Sequence, residues 1–246
     1  MPLLDGLARV AWQLLAACAP DQCAFCDDVT SLPSCPTCAT RLRPAPQQRL
    51  PDLGTPVVGV WPYEEPASLA IQRLKYDDRP DLARSLVRAA LPQGWPLPLA
   101  DLLVPVPLHP RRLAARGYNQ SALLANELAR LGRRRGQQLH VSPRAVTRVV
   151  DTGQLVGMER SERRRTVAAA FAMSARREVR EQRVVVVDDV VTTGATAAAC
   201  VRALAGAGAL VVGVFALCVV PPGSGETTRS SYLTCRTKPT KSSGGT

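Results

Sequence analysis

The chain has 246 residues, of which 46% are apolar and 21% are charged, and its formal net charge is +11. A chain of this length can bury one sizeable α/β core and still carry a small appendage. Its composition is ordinary for a soluble protein, which excludes the classes that depend on a strongly biased composition.

The first 18 residues, MPLLDGLARVAWQLLAAC, are largely apolar but are interrupted by Asp5 and Arg9. This stretch is too short to span a membrane and lacks the basic start of a signal peptide. We therefore expect an amphipathic helix that packs on the rest of the protein, no membrane span, and a cytoplasmic location.

Two CxxC pairs follow, and they contain Cys23, Cys26, Cys35 and Cys38. Four thiolates at such positions suit a tetrahedral zinc site, although the eight-residue spacer is shorter than usual. Disulfides are the alternative, and the missing export signal argues against them. Because sulfur would fill all four positions, the sequence predicts a structural Zn²⁺ rather than a catalytic one.

A proline-rich linker at 41–55 leads into a series of predicted elements. Apolar patterning predicts a strand at 57–61, a short helix at 67–76 and a second helix at 82–91. Further along, an amphipathic helix is predicted at 119–131, with Asn119 as its cap.

Between these helices, the segment 101–107 predicts another strand, which the prolines at 105 and 107 should end early. A loop with three arginines is expected to follow: Arg111, Arg112 and Arg116. Guanidinium groups match phosphate oxygens in pairs, so this loop is a candidate pyrophosphate site. A surface turn of solvated arginines is the alternative.

The central stretch of the chain is VVVVDDVVTTGAT, from Val184 to Thr196. Its valine run predicts a strand buried on both faces, with Asp188 and Asp189 at the carboxyl end that faces the ligand crevice of a parallel sheet. A small-residue loop and a helix at 195–204 follow, and Gly194 would let a phosphate approach the helix start. The stretch therefore suits a sugar phosphate, with the acids accepting from ribose hydroxyls or holding magnesium.

A P-loop nucleotide hydrolase is excluded, because that class needs a lysine directly after a glycine-rich loop. The chain has only three lysines, Lys75, Lys238 and Lys241, and none follows such a loop.

The thirteen residues resemble the signature of type I phosphoribosyltransferases that binds phosphoribosyl pyrophosphate (PRPP). The resemblance implies an α/β fold with a parallel sheet flanked by helices, and it makes Asp188 and Asp189 the catalytic pair on the ribose 2′ and 3′ hydroxyls. The loop at 192–196 would wrap the 5-phosphate. The implied PRPP-binding residues are Asp188, Asp189, Val190, Val191, Thr192, Thr193, Gly194, Ala195 and Thr196.

Several motifs together resemble the ComF group of phosphoribosyltransferase-like proteins. In chain order they are the cysteine pairs, LKY at 74–76, PVPLHPRR at 105–112, RGYNQ at 116–120, Gln154 with Glu162 and Arg163, and the PRPP signature. Asp78 and Thr166 depart from the group's pattern. The resemblance implies a role in DNA uptake by competent bacteria and leaves the enzymatic substrate undefined.

Three regions are expected from these observations. Residues 1–45 would form an N-terminal helix and a four-cysteine zinc module, 55–222 the phosphoribosyltransferase-type domain, and 223–246 a disordered tail. Within the domain, 152–165 is either a solvated helix or a mobile hood over PRPP, with Gln154 reaching a nucleobase. Residues 130–183 hold 14 basic and 5 acidic side chains, which suits either a polyanion or a solvated arginine-rich face.

Three functions fit the sequence. The first is a Mg²⁺-dependent transferase that moves phosphoribose to or from a base, with magnesium and arginines stabilising the leaving pyrophosphate. The second is a non-catalytic accessory of DNA uptake that binds PRPP or single-stranded DNA. The third, a PRPP-sensing regulator, is disfavoured because no helix-turn-helix pattern precedes the domain. The sequence leaves open whether the protein is an enzyme and whether it forms oligomers.

Overall fold

A computed structural model of the chain describes residues 22–91, 97–149, 171–174 and 176–220. Its strands are β1 Gln48–Arg49, β2 Pro56–Pro62, β3 Leu102–Pro105, β4 His140–Val141, β5 Val146–Arg148, β6 Phe171–Met173, β7 Arg183–Val191 and β8 Leu210–Val219. Its helices are α1 Pro36–Arg41, α2 Ala67–Tyr76, α3 Leu82–Ala90, α4 Pro110–Arg116, α5 Gln120–Arg134, α6 Arg176–Val179 and α7 Ala195–Gly206. The expected N-terminal helix, the segment 152–165 and the tail at 223–246 lie outside the described residues.

Six strands form the main sheet, in the order β1-β2-β8-β7-β3-β4. Only the β1–β2 pair is antiparallel, and the other four pairs are parallel. A separate antiparallel pair joins β5 to β6. The mixed α/β architecture with a mostly parallel sheet confirms the fold class that the sequence predicts.

Strand β7 is central because its valines contribute to the core on both sides of the sheet. Val185 and Val187 belong to one buried cluster, with side chains from α2, α3 and α5. Val184 and Val186 belong to the other, which includes most of the buried face of α7. Helices cover both faces, which is why this strand is a continuous apolar run rather than an alternating one.

Most of the predicted elements are confirmed. The helix at 67–76 has the predicted bounds, and the helix predicted at 119–131 begins at Gln120 and extends to Arg134. The Asn119 side chain caps α5 by accepting from the backbone N–H groups of Ser121 and Ala122. Cys200 and Cys218 are buried in α7 and β8, as expected for small apolar side chains.

Two segments that were expected to be irregular are partly regular. The expected arginine loop contains the seven-residue helix α4, because His109 accepts from the Arg111 N–H, Pro110 is preorganised for a first turn, and Gly117 ends the helix at a φ of 81°. In the expected linker, Gln48 and Arg49 pair with the edge of β2.

Strand β7 is also longer than predicted. The sequence places its end before the acidic pair, yet Asp188 pairs with Ala216 and Val190 with Cys218. The ladder continues because β8 runs alongside as far as Val219, and because the two acids have compensating partners. The carboxylates are therefore held by a regular strand rather than by a loop.

None of the helices in the described ranges is long and apolar enough to cross a bilayer.

A glycine inside β2 gives a test of this packing. A Cβ atom at Gly59 would lie 2.4 Å from Cγ1 of Val219, which no rotation of so short a side chain can relieve. We expect Gly59→Ala to lower the free energy of unfolding in urea by about 1–3 kcal/mol.

The matched control is Gly206→Ala at the end of α7, where an added Cβ meets nothing within 4 Å. This variant should be neutral or slightly more stable, because alanine favours the helix. Equal stability of the two variants would contradict the close contact between β2 and β8.

Candidate functional site

Two adjacent carboxylates are buried near the carboxyl end of β7. Asp188 is 8% exposed and Asp189 is 3% exposed. Oδ1 of Asp188 accepts from the Ser121 hydroxyl at 3.1 Å and from the backbone N–H of Asp189 at 2.9 Å. Burial and the charge of Asp189 raise the pKa of Asp188 to about 7.

Lys75 provides the counter-charge for Asp189. Its Nζ lies 2.7 Å from Oδ2 of Asp189, and the two side chains are only 19% and 4% exposed. Oδ2 makes no hydrogen bond of regular geometry, so this contact is an ion pair defined by distance. Burial opposes the charge on the lysine, but Asp189 and Asp188 outweigh it and raise the pKa of Lys75.

The LKY and RGYNQ segments meet beside this pair. The Tyr118 hydroxyl donates to the carbonyl of Leu74 at 2.7 Å, and the Arg116 guanidinium lies 5.4 Å from the centre of the Tyr76 ring. Arg116 also donates to the side-chain carbonyl of Gln120. Three motifs that are distant in sequence thus form one region around the acidic pair.

The start of α5 is tied to the end of β3. Nδ2 of Asn119 donates to the carbonyl of Val106 at 3.0 Å, while its Oδ1 caps the helix. This arrangement fixes the first turn of α5, and with it the Ser121 hydroxyl that contacts Asp188.

The small-residue loop follows the end of β7, two residues after the acids, and leads into α7. Thr192 and Thr193 are exposed, whereas Gly194 is buried at a φ of 75°. A Cβ at Gly194 would lie 2.9 Å from Cδ2 of Leu50, so both the backbone conformation and the packing require glycine. The exposed threonines and the amino end of a twelve-residue helix provide the donors that an anion needs.

The three arginines of the candidate pyrophosphate site have different surroundings. Arg111 and Arg112 are exposed on α4, and Arg116 is half-buried against Tyr76. Through its contact with Tyr76, Arg116 lies next to the segment that carries Lys75.

The structure identifies two residues whose contacts with the acids the sequence did not reveal, Lys75 and Ser121. Lys75 had a signal, because it is one of only three lysines in a chain with 28 arginines. Ser121 had none of its own, since it follows the RGYNQ motif as an ordinary helix residue.

The four cysteines of the CxxC pairs converge. Their sulfur atoms all lie within 4.8 Å of one another, and those of Cys26 and Cys35 are 3.6 Å apart. None of the four is in a disulfide. Burial opposes ionisation of Cys23, but backbone N–H groups, first that of Cys35, lower its pKa to about 7. The cluster can hold a metal ion, because tetrahedral zinc thiolates need sulfur atoms at about this spacing.

This cysteine module packs on α2 and β2. Phe25 meets Trp61 edge to face, with ring centres 5.5 Å apart. Asp27 pairs with Arg73 on α2 and, at 3.4 Å, with Arg79. The module therefore contacts the same helix that carries Lys75.

A cavity of about 330 Å³ lies elsewhere, between the end of α1 and the end of β2. Arg41, Arg43, Glu64 and Glu65 line it with residues of both charges. None of its lining residues belongs to the PRPP signature, so this cavity is separate from the site at the acidic pair.

The chain is similar to known proteins over most of its length. The model of the phosphoribosyl transferase domain matches residues 122–241, which include β7, the threonine loop and α7. The protein named DNA utilization protein YhgH in Escherichia coli O157:H7 is 34% identical over 235 residues, which cover 89% of this chain and 93% of the relative.

The chain belongs to the ComF–YhgH family of phosphoribosyltransferase-domain proteins.

Other members of the ComF–YhgH family match shorter stretches. DNA utilization protein YhgH of Salmonella typhi is 35% identical over 135 residues, or 50% of this chain and 56% of the relative. Competence protein F of Haemophilus influenzae is 29% identical over 165 residues, or 62% of this chain and 69% of that protein. The alignment with the Salmonella relative thus spans little more than half of that protein's length.

The cysteine cluster leads to a test. Cys26→Ser should lower the metal content of the purified protein, measured by inductively coupled plasma mass spectrometry, from about one ion per chain to well below half, because one of four ligands is lost.

Cys200→Ala is the matched control, since Cys200 is buried in α7 and lies outside the cluster. It should leave the metal content unchanged. Equal loss of metal in both variants, or none in Cys26→Ser, would contradict the assignment of the cluster.

Proposed function

We propose that this protein binds PRPP together with Mg²⁺ at the end of β7 and transfers phosphoribose to or from a nucleobase in a process linked to DNA uptake. One observation carries the proposal: a buried acidic pair near the end of β7 is followed, two residues later, by an exposed threonine loop and a helix start, within the span that matches the phosphoribosyl transferase domain. In a sugar phosphate, the hydroxyls can donate to such an acidic pair, while the phosphate accepts from the loop and the helix start.

In this proposal the acids and the loop act on opposite ends of the ribose phosphate. Asp188 and Asp189 accept hydrogen bonds from the 2′ and 3′ hydroxyls, while the residues 192–196 enclose the 5-phosphate with N–H and hydroxyl donors. Fixed contacts on both sides of the ring hold C1 in place as positive charge develops there.

Magnesium would enter with PRPP, where it neutralises negative charge that builds up on the leaving pyrophosphate. The described residues fit this role better than a separate cation site on the acids, because Asp189 is already neutralised by Lys75. Arg116, with Arg111 and Arg112 on the exposed face of α4, would bind the pyrophosphate oxygens.

The reaction breaks the bond between ribose C1 and a pyrophosphate oxygen and forms a bond from C1 to a ring nitrogen of the base, or the reverse. A base nitrogen is itself the nucleophile and gives up its proton to water or to the released pyrophosphate, so no protein nucleophile is required. The base would be held by residues of the segment 152–165, including Gln154, which lie outside the described residues.

The remaining parts have supporting roles in this proposal. The four-cysteine cluster holds a structural Zn²⁺ that stabilises the module at 1–45, the transferase-type domain spans 55–222, and 223–246 is a tail. The protein works in the cytoplasm.

A second function is favoured by the names of the relatives, which refer to DNA utilization and competence rather than to a transferase. In this alternative the protein binds PRPP without turnover, or the basic segment 130–183 binds single-stranded DNA or a component of the uptake machinery.

The test is PRPP affinity measured by titration calorimetry with and without Mg²⁺. We expect binding that requires Mg²⁺ and that Asp189→Asn weakens by about 10- to 100-fold, because a carboxylate acceptor for the ribose is lost. The isosteric control is Asp52→Asn, at an exposed position with a φ of 66° that asparagine tolerates, and it should bind normally.

Turnover then separates the two functions. Release of pyrophosphate with one member of a panel of bases, lost in Asp189→Asn, supports the transferase. Binding of single-stranded DNA with a steep salt dependence and no pyrophosphate release supports the accessory. Failure of the wild-type protein to bind PRPP under any of these conditions would contradict the transferase, and failure to bind single-stranded DNA as well would contradict the accessory.

A further inference from the structure

We propose that Lys75 is a positioning residue for the candidate ligand site: its ammonium group fixes the Asp189 carboxylate in the orientation that PRPP requires. The inference rests on the proposed function, and it assigns a role to a side chain that the PRPP signature does not contain.

The first support is the geometry of the pair. Nζ of Lys75 is 2.7 Å from Oδ2 of Asp189, and neither side chain is more than one-fifth exposed. A carboxylate that is buried this deeply needs a partner of opposite charge, because the cost of removing it from water is otherwise uncompensated. Among the described residues, Lys75 supplies this positive charge through its ion pair with Asp189.

The second support is how firmly Lys75 is held. It lies in the last turn of α2, where the helix dipole favours a cation. Tyr118 anchors the carbonyl of Leu74, the residue before it, and Asp27 of the cysteine module pairs with Arg73 one half-turn earlier. The ammonium is thus presented to Asp189 from a helix whose last turn is held by contacts with two other parts of the chain.

The third support comes from the choice of side chain. The chain contains 28 arginines and three lysines, and the other two lysines are Lys238 and Lys241. At this buried position a single carboxylate oxygen faces the cation. A compact ammonium group can pair with one oxygen, whereas a planar guanidinium needs more room and more acceptors. Lys75, one of the few lysines in this arginine-rich chain, is therefore also the residue that pairs with Asp189.

Stability by itself does not account for the pair. Buried ion pairs are often replaced by neutral side chains of similar size without loss of stability, whereas removing one partner is costly. A fold that needed only packing here could use two neutral residues. The retained charges point to a requirement of the ligand, which needs Asp189 as a fixed acceptor.

The experiment compares Lys75→Met, Asp189→Asn and the double variant in the 246-residue chain. PRPP affinity with Mg²⁺ should fall by about tenfold or more in Lys75→Met. In the Asp189→Asn background, the further change Lys75→Met should cause no additional loss, because the residue that it positions is already gone. Additive losses would show that Lys75 acts independently of Asp189 and would overturn the proposal.

Two controls make the result specific. Arg84→Met removes one positive charge from the exposed face of α3 and should leave PRPP affinity within about twofold of the wild type. Lys75→Arg keeps the charge and should retain more affinity than Lys75→Met. Wild-type affinity in Lys75→Met would overturn the role of the ammonium.

A second measurement does not depend on PRPP. The urea midpoint should fall in each single variant. The fall in the double variant should be smaller than the sum of the two single falls, because both charges of the Lys75–Asp189 pair are then removed together. If the midpoint shift of the double variant equals the sum of the two single shifts, the role of Lys75 is overturned but the proposed function is not. Absence of PRPP binding by a folded wild-type protein overturns the proposed function, while the urea cycle still reports on the pair.

Discussion

The burial of two adjacent carboxylates in the central strand is the constraint on which the rest of this site depends. Each removes a charge from water at a cost of several kcal/mol if it has no partner. Asp188 is compensated by a hydroxyl and a backbone N–H, and Asp189 by an ammonium group. These partners come from α5, β7 and α2, so the burial of the acids depends on the packing of three parts of the domain.

This requirement explains why so much of the described structure fixes the ends of helices. Asn119 caps α5 and ties it to the end of β3, which sets the position of Ser121. Tyr118 and Asp27 hold α2, which sets the position of Lys75. The cysteine module therefore bears on the candidate site, because it packs on the helix that supplies the counter-charge.

Local patterns in the sequence were sufficient for much of the fold. The valine run, the capped helix after Asn119 and the bounds of α2 follow from periodicity and capping, which act within a few residues. The arginine segment failed as a loop prediction because His109, Pro110 and Gly117 are also the signals that start and end a short helix. The length of β7 was underestimated, since charged residues do not favour a strand unless partners from elsewhere neutralise them.

The sequence by itself determined the order of strand, acids, threonine loop and helix, and it determined the two cysteine pairs. Each of these depends on residues that are neighbours in the chain. Only the tertiary structure decided that Lys75 and Ser121 would meet the acids and that Asp27 would pair with α2. Such contacts join residues that are far apart in the chain, and their free energy depends on burial and charge compensation, which exist only once the sheet and its helices have assembled.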